Sequence, residues 1–140
     1  MADLTADRLA LRYLSESYAA GCDRRDASLI VPVFADGGKL TVHWLDRDPT
    51  SMVAPHELER IPTGLGRYDC TMHTLGNHFA EIDGDDARCA TYCFAHHITG
   101  TDDYVMAIIY EDVCRRIDGD WKIVTRDLQL QWTENRSVVR

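Results

Sequence analysis

The second half of the chain most constrains the fold. It carries four long β-prone segments, Thr71–Ile82, Arg88–Thr99, Tyr104–Ile117 and Trp121–Trp132. They are joined by Asp83-Gly84-Asp85-Asp86, Gly100-Thr101-Asp102-Asp103 and Asp118-Gly119-Asp120. Asp-Gly joints between such runs signal tight hairpins, because these residues tolerate the positive φ the turn requires. A meander of four antiparallel strands is expected. The acidic joints, Asp102-Asp103 included, read as solvated.

The first half is helical. Over residues 5–24, Leu11, Leu14, Tyr18 and Cys22 recur at helical spacing and give one apolar face. Thr5 and Asp7 suit its start, and Arg24-Arg25 its end. Asp26 reads as the cap of a short helix over Ala27–Phe34, interrupted by Pro32. Asp36-Gly37-Gly38 reads as a turn, and Lys39–Trp44 as a first strand with Leu40, Val42 and Trp44 on one face. Pro55–Ile61 suits a third helix that Pro62, Gly64 and Gly66 end. The tail Glu134–Arg140 is expected to fray. Helices first and a long meander last give an α+β class: N-terminal helices packed on a strongly curved, mostly antiparallel sheet. Such a sheet, closed by helices, makes a cone with an interior pocket.

Length and composition narrow the functions. A chain of 140 residues reads as a single domain over 1–140, long enough to bury a core without metals or disulfides. The net charge of −8, with no basic cluster, argues against nucleic acid. No apolar run is long enough to span a membrane, and the N-terminus lacks the apolar core of a secretory leader. The five cysteines, Cys22, Cys70, Cys89, Cys93 and Cys114, are an odd number. Free, mostly buried thiols in the reducing cytoplasm follow.

Three stretches carry a family likeness. They are Tyr18-Ala19-Ala20-Gly21-Cys22-Asp23-Arg24-Arg25-Asp26, Thr71-Met72-His73-Thr74-Leu75-Gly76-Asn77, and the ending Asp118-Gly119-Asp120-Trp121-Lys122-Ile123-Val124-Thr125-Arg126. With the order of elements, they make the chain resemble the SnoaL-like family of the nuclear-transport-factor-two-like cone superfamily. In motif the resemblance is strongest toward the scytalone dehydratases, hexachlorocyclohexane dehydrochlorinases and bile acid 7α-dehydratases. It implies a catalytic dyad, with Asp23 on the first helix orienting His73 on a strand. It also implies Tyr18 and Arg126 as polar stabilisers, a homodimer or homotrimer, and a small-molecule substrate with no cofactor. The expected reaction is dehydratase-like: proton abstraction from a small, fairly apolar cyclic compound. An isomerase, a polyketide-cyclase-like enzyme and a non-catalytic ligand-binding domain stay open as alternatives.

The residues support such a dyad chemically. A histidine base works best near the operating pH, and a carboxylate partner fixes its tautomer and steadies its cation. Taken alone, Tyr18 reads equally as core, and Arg126 equally as one half of a structural ion pair. Phe94, His96, Trp44 and Tyr92 are the expected substrate-binding residues. Of the adjacent His96 and His97, only one can face the pocket, and parity with Tyr92 and Phe94 selects His96. No metal is expected: His73 and His78 differ by an odd number, which places them on opposite faces of a regular strand. Trp132, Leu128, Leu130 and Val113 are expected to put apolar surface on the convex side.

Overall fold

A computed structural model describes residues 3–140 of the chain. Helix α1 spans Thr5–Arg24, and its stripe Leu11, Leu14, Tyr18 and Cys22 is buried. Its start is not capped by Thr5 or Asp7. Asp3 accepts from the Thr5 amide at 2.9 Å. Asp7 instead accepts from Arg116 at 2.9 Å and Trp121 Nε1 at 3.0 Å, tying the helix to the last hairpin. Arg25, at φ 57°, ends the helix in the left-handed conformation. Asp26 then caps α2, Ala27–Ile30, by accepting from the Ser28 amide. Pro32 sits in the 3-10 turn that follows, so α2 is shorter than the expected Ala27–Phe34.

Strand β1 runs Phe34–His43 and takes in Asp36-Gly37-Gly38 as an irregularity, with Gly37 at φ 73°. A short β2, Thr50–Val53, pairs with it, and its polarity hides it in the sequence. Pro62 stands at the start of α3, Ile61–Leu65, where its missing N–H costs nothing, rather than at a helix end. Strands β3 (Cys70–Asp83), β4 (Asp86–Thr99), β5 (Asp102–Ile117) and β6 (Asp120–Ser137) form the meander. The tail does not fray at Glu134, because residues to Ser137 pair with β5.

The sheet order is β2-β1-β6-β5-β4-β3. All pairings are antiparallel except β1 with β6. The fold is therefore α+β, with helices on one face of a six-stranded, mixed, curved and unclosed sheet. The concave face of β4 carries the small residues Ala87, Cys89, Thr91, Cys93 and Ala95, which leave room for α1. Its large residues, Tyr92 and Phe94, are on the convex face. All five cysteines are free thiols, and all but Cys70 are buried. No helix among the described residues is long and apolar enough to cross a membrane.

Bulges decide which side chains face inward, and two of them overturn the expected faces. In β3 the register shifts between Leu75 and His78. Thr71 and His73 face the concave side before the shift, and His78 and Ala80 after it. The parity argument that put His78 opposite His73 therefore fails: an extra residue exchanges the faces. In β6 Leu130 pairs with Ile108 while Trp132 pairs with Ala107, so Gln131 is the extra residue. Leu128 and Leu130 thus point inward and are buried, contrary to the convex placement expected, and Trp132 points outward, 53% exposed.

Candidate active site

The left-handed end of α1 brings Asp23 against strand β3. Asp23 Oδ1 accepts from His73 Nδ1 at 2.7 Å, and Oδ2 accepts from the His73 backbone amide at 2.9 Å. Thr71 Oγ1 donates to Oδ1 at 3.0 Å and accepts from Arg25 Nη1 at 2.7 Å. Guanidinium groups only donate, so these bonds fix the direction of the Thr71 hydroxyl. Burial works against the Asp23 charge. The bonds from the His73 ring and backbone outweigh it and hold the carboxyl below the usual carboxylate range. Because an ionised carboxylate only accepts, Nδ1 carries the proton in neutral His73, and Nε2 keeps a lone pair.

His73 lines a cavity of about 310 Å³ with Tyr18, Trp44, Tyr68, His97, Tyr104 and a wall of aliphatic side chains. That volume is near the lower end for ligand sites, ~300–1,000 Å³. His97 is the member of the histidine pair that faces inward, and it is 6% exposed. Its ring stands edge-on to His73, centroids 5.8 Å apart, and lies 4.9 Å from Tyr68. Its Nδ1 donates to the Tyr104 carbonyl at 3.2 Å, which leaves Nε2 as an acceptor. Burial pushes its pKa down to about 4, against that backbone bond and aided by the charges at His73 and Arg67. Cys22 also reaches the cavity, but burial pushes its thiol up to about 12, so it holds its proton at neutral pH.

Of the residues expected from sequence, Asp23, His73, Tyr18 and Trp44 are gathered here. Tyr92, Phe94 and His96 are not. Tyr92 and Phe94 are nearly half exposed on the convex face, where Phe94 packs edge-on against Trp132 at 5.9 Å. His96 bonds Asp103 at 2.7 Å on that same face. With Arg136 it covers Asp103 down to 2% exposure, so that acid is not solvated. Their bulk argued for the pocket. The concave face instead takes small residues at mid-strand, where the helix lies close.

Arg126 faces inward but lies in a deeper layer, outside the cavity wall. It is fully buried, held by Asp112 at 2.8 and 2.7 Å, and donates to Ser15 Oγ at 2.7 Å. Its guanidinium lies 4.7 Å from the Tyr18 ring centroid and 4.5 Å from that of Tyr110. It forms a buried ion pair with Asp112 and does not line the cavity. The sequence reading missed Thr71, Arg25, Tyr68 and Arg67. Of these, only Thr71 carried a signal, two residues before His73 on the same strand face. No group of three or more His, Cys, Asp or Glu side chains able to hold a metal occurs among the described residues.

The geometry is that of a curved sheet whose mouth holds a histidine against a helix-borne carboxylate. Solved structures with this shape include a hexachlorocyclohexane dehydrochlorinase, LinA-type3, of Novosphingobium barchaimii. It is 17% identical, with TM-score 0.83, covering 96% of this chain and 93% of that one. A Kribbella flavida protein is 21% identical, TM-score 0.80, with 94% and 95% covered. A candidate scytalone dehydratase of Novosphingobium aromaticivorans is 18% identical, TM-score 0.78, with 96% and 90% covered. These likenesses give the nuclear-transport-factor-two-like cone fold. The SnoaL-like domain matches residues 3–127, and the chain belongs to that family. No curated protein matches it.

Proposed function

We propose that the protein is a lyase of the dehydratase or dehydrochlorinase kind, acting on a small ring compound with an acidic C–H bond. One observation carries this reading: the hydrogen bond from His73 Nδ1 to Asp23 at the wall of a largely apolar cavity. The dehydrochlorinase among the structural neighbours adds support. His73 Nε2 takes the C–H proton, and the C–H electron pair becomes the new double bond. The leaving group departs with its own bonding pair. A halide leaves as it is, whereas hydroxide takes a proton back from the imidazolium. Asp23 steadies that imidazolium and holds the ring in place. Tyr68 and the Nε2 of His97 offer a donor and an acceptor for the substrate's oxygens. Tyr18 closes the floor of the cavity. We propose also that the chain self-associates through the convex face of the sheet.

A mass-spectrometric screen in heavy water tests the chemistry. Cyclic β-hydroxy and β-halo carbonyl compounds are incubated with the protein. Loss of water or hydrogen halide supports a lyase. Deuterium uptake without loss of mass from elimination assigns an isomerase instead, and cyclised products a cyclase. On an active compound, Asp23→Asn lowers turnover on the order of 10²–10⁴-fold, and His73→Ala by at least as much. A near-normal rate in His73→Ala would reject the mechanism.

A further inference from the structure

The cavity has the opposite charge to the chain around it. The protein holds 23 acidic and 15 basic residues, a net charge of −8. Yet the cavity wall includes two cations, Arg47 and Arg67, and no Asp or Glu side chain. Asp23 stands behind His73 with its oxygens already bonded.

The two arginines are exposed residues at the rim, and stacking places each of them. The Arg47 guanidinium lies 3.8 Å from the Trp44 ring centroid, and that of Arg67 lies 4.9 Å from Tyr68. The supporting rings are themselves held. Trp44 Nε1 donates to Thr50 Oγ1 at 3.0 Å, and Tyr68 packs on His97. The two cations differ in their acidic neighbours. Arg67 makes no ion pair among the described residues, and Arg47 has the exposed Asp46 at 3.6 Å. Arg67 Nη2 donates to the Tyr68 phenol oxygen at 3.0 Å. That bond uses one of the five donors of the guanidinium and leaves the phenol its own proton to give.

We propose that this site selects an anionic substrate, a one- or two-ring carboxylate whose charge is held at the rim by Arg67 and Arg47 while its ring enters toward His73. Guanidinium pairs with carboxylate through charge-assisted bonds, and stacking on aromatic rings pre-orients the fork. Distant charges of the molecule work the other way, since a net −8 repels an anion. The preference therefore depends on these two residues.

The inference rests on reading the cavity as a ligand site but not on the chemistry at His73, so unreactive probes test it. Calorimetry at low salt compares 2-naphthoate with its neutral amide, 2-naphthamide. The expected result is binding of the carboxylate at least about fivefold tighter, a charge-assisted margin. In the Arg47→Gln/Arg67→Gln double variant that margin falls below about twofold or inverts. Both positions are exposed, and an unchanged melting temperature confirms that the variant is folded. Equal binding of the two probes, an unchanged margin in the double variant, or failure of both probes to bind would each overturn the proposal. A carboxylate preference that holds while the elimination screen yields no product would leave this inference standing and remove the lyase reading alone.

Discussion

At the scale of single residues, the site separates groups that touch the cavity from groups that hold it up. Asp23 and His73 are legible in the sequence because a helix-end acid and a strand histidine fall in recognisable stretches. Arg126 is legible as a residue but not as a role. Nothing in the sequence tells a pocket arginine from one that pairs with Asp112 beneath the pocket floor. Its burial predicts a stability effect: Arg126→Ala leaves Asp112 charged and unpaired, a loss of roughly 3–5 kcal/mol. Urea denaturation checks this, and a loss under about 1 kcal/mol, the range of exposed pairs, would be inconsistent with it. His97 sets a pH dependence. Its folded pKa of about 4 lies below its ordinary value of 6.5. Between these values the unfolded chain takes up a proton that the folded chain refuses. Stability is therefore full above pH ~6.5 and declines as pH falls toward ~4. His97→Gln should flatten the melting temperature across this window relative to the parent, and parallel curves would contradict the assignment.

At the scale of elements, the four meander strands and α1 were readable because their periods are long and their turns carry Asp-Gly. What was not readable is where the period breaks. One extra residue near Gly76-Asn77 exchanges the faces for His78, and another at Gln131 separates Trp132 from Leu128 and Leu130, so counting by twos puts His78 and the two leucines on the wrong face. The choice of His96 over His97 failed differently, by following bulky neighbours to the wrong face. The α1–α2 corner offers a test of packing. A Cβ at Gly21 would lie 2.5 Å from Ile30 Cγ1 and 2.9 Å from the Asp26 carbonyl oxygen. Alanine gains ~1 kcal/mol of helix propensity over glycine, and overpacking costs ~1–3 kcal/mol. The backbone oxygen cannot rotate away, so the clash prevails. Gly21→Ala should lower the denaturation midpoint, and a raised midpoint would show that α2 yields freely.

At the scale of the whole molecule, the convex face is the conspicuous surface. Met72, Phe79, Tyr92, Phe94 and Trp132 are all exposed there or along its edge. Large apolar side chains exposed on one face, with Phe94 against Trp132, suit an interaction site. Light scattering at micromolar concentration should report a dimer or trimer, and Trp132→Glu should shift it toward monomer. A parent that scatters only as a 15.9 kDa species would refute self-association. A last consequence comes from the position of β3 at the end of the sheet. An open strand end is a template on which foreign strands can grow. The His73 amide would be one of its vacant rungs, and the Asp23 carboxylate occupies it. The carboxylate proposed to ready the base thus also closes one rung of this edge, so Asp23→Ala should expose a backbone donor there whether or not the site is catalytic, and increased aggregation on heating relative to the parent would report it.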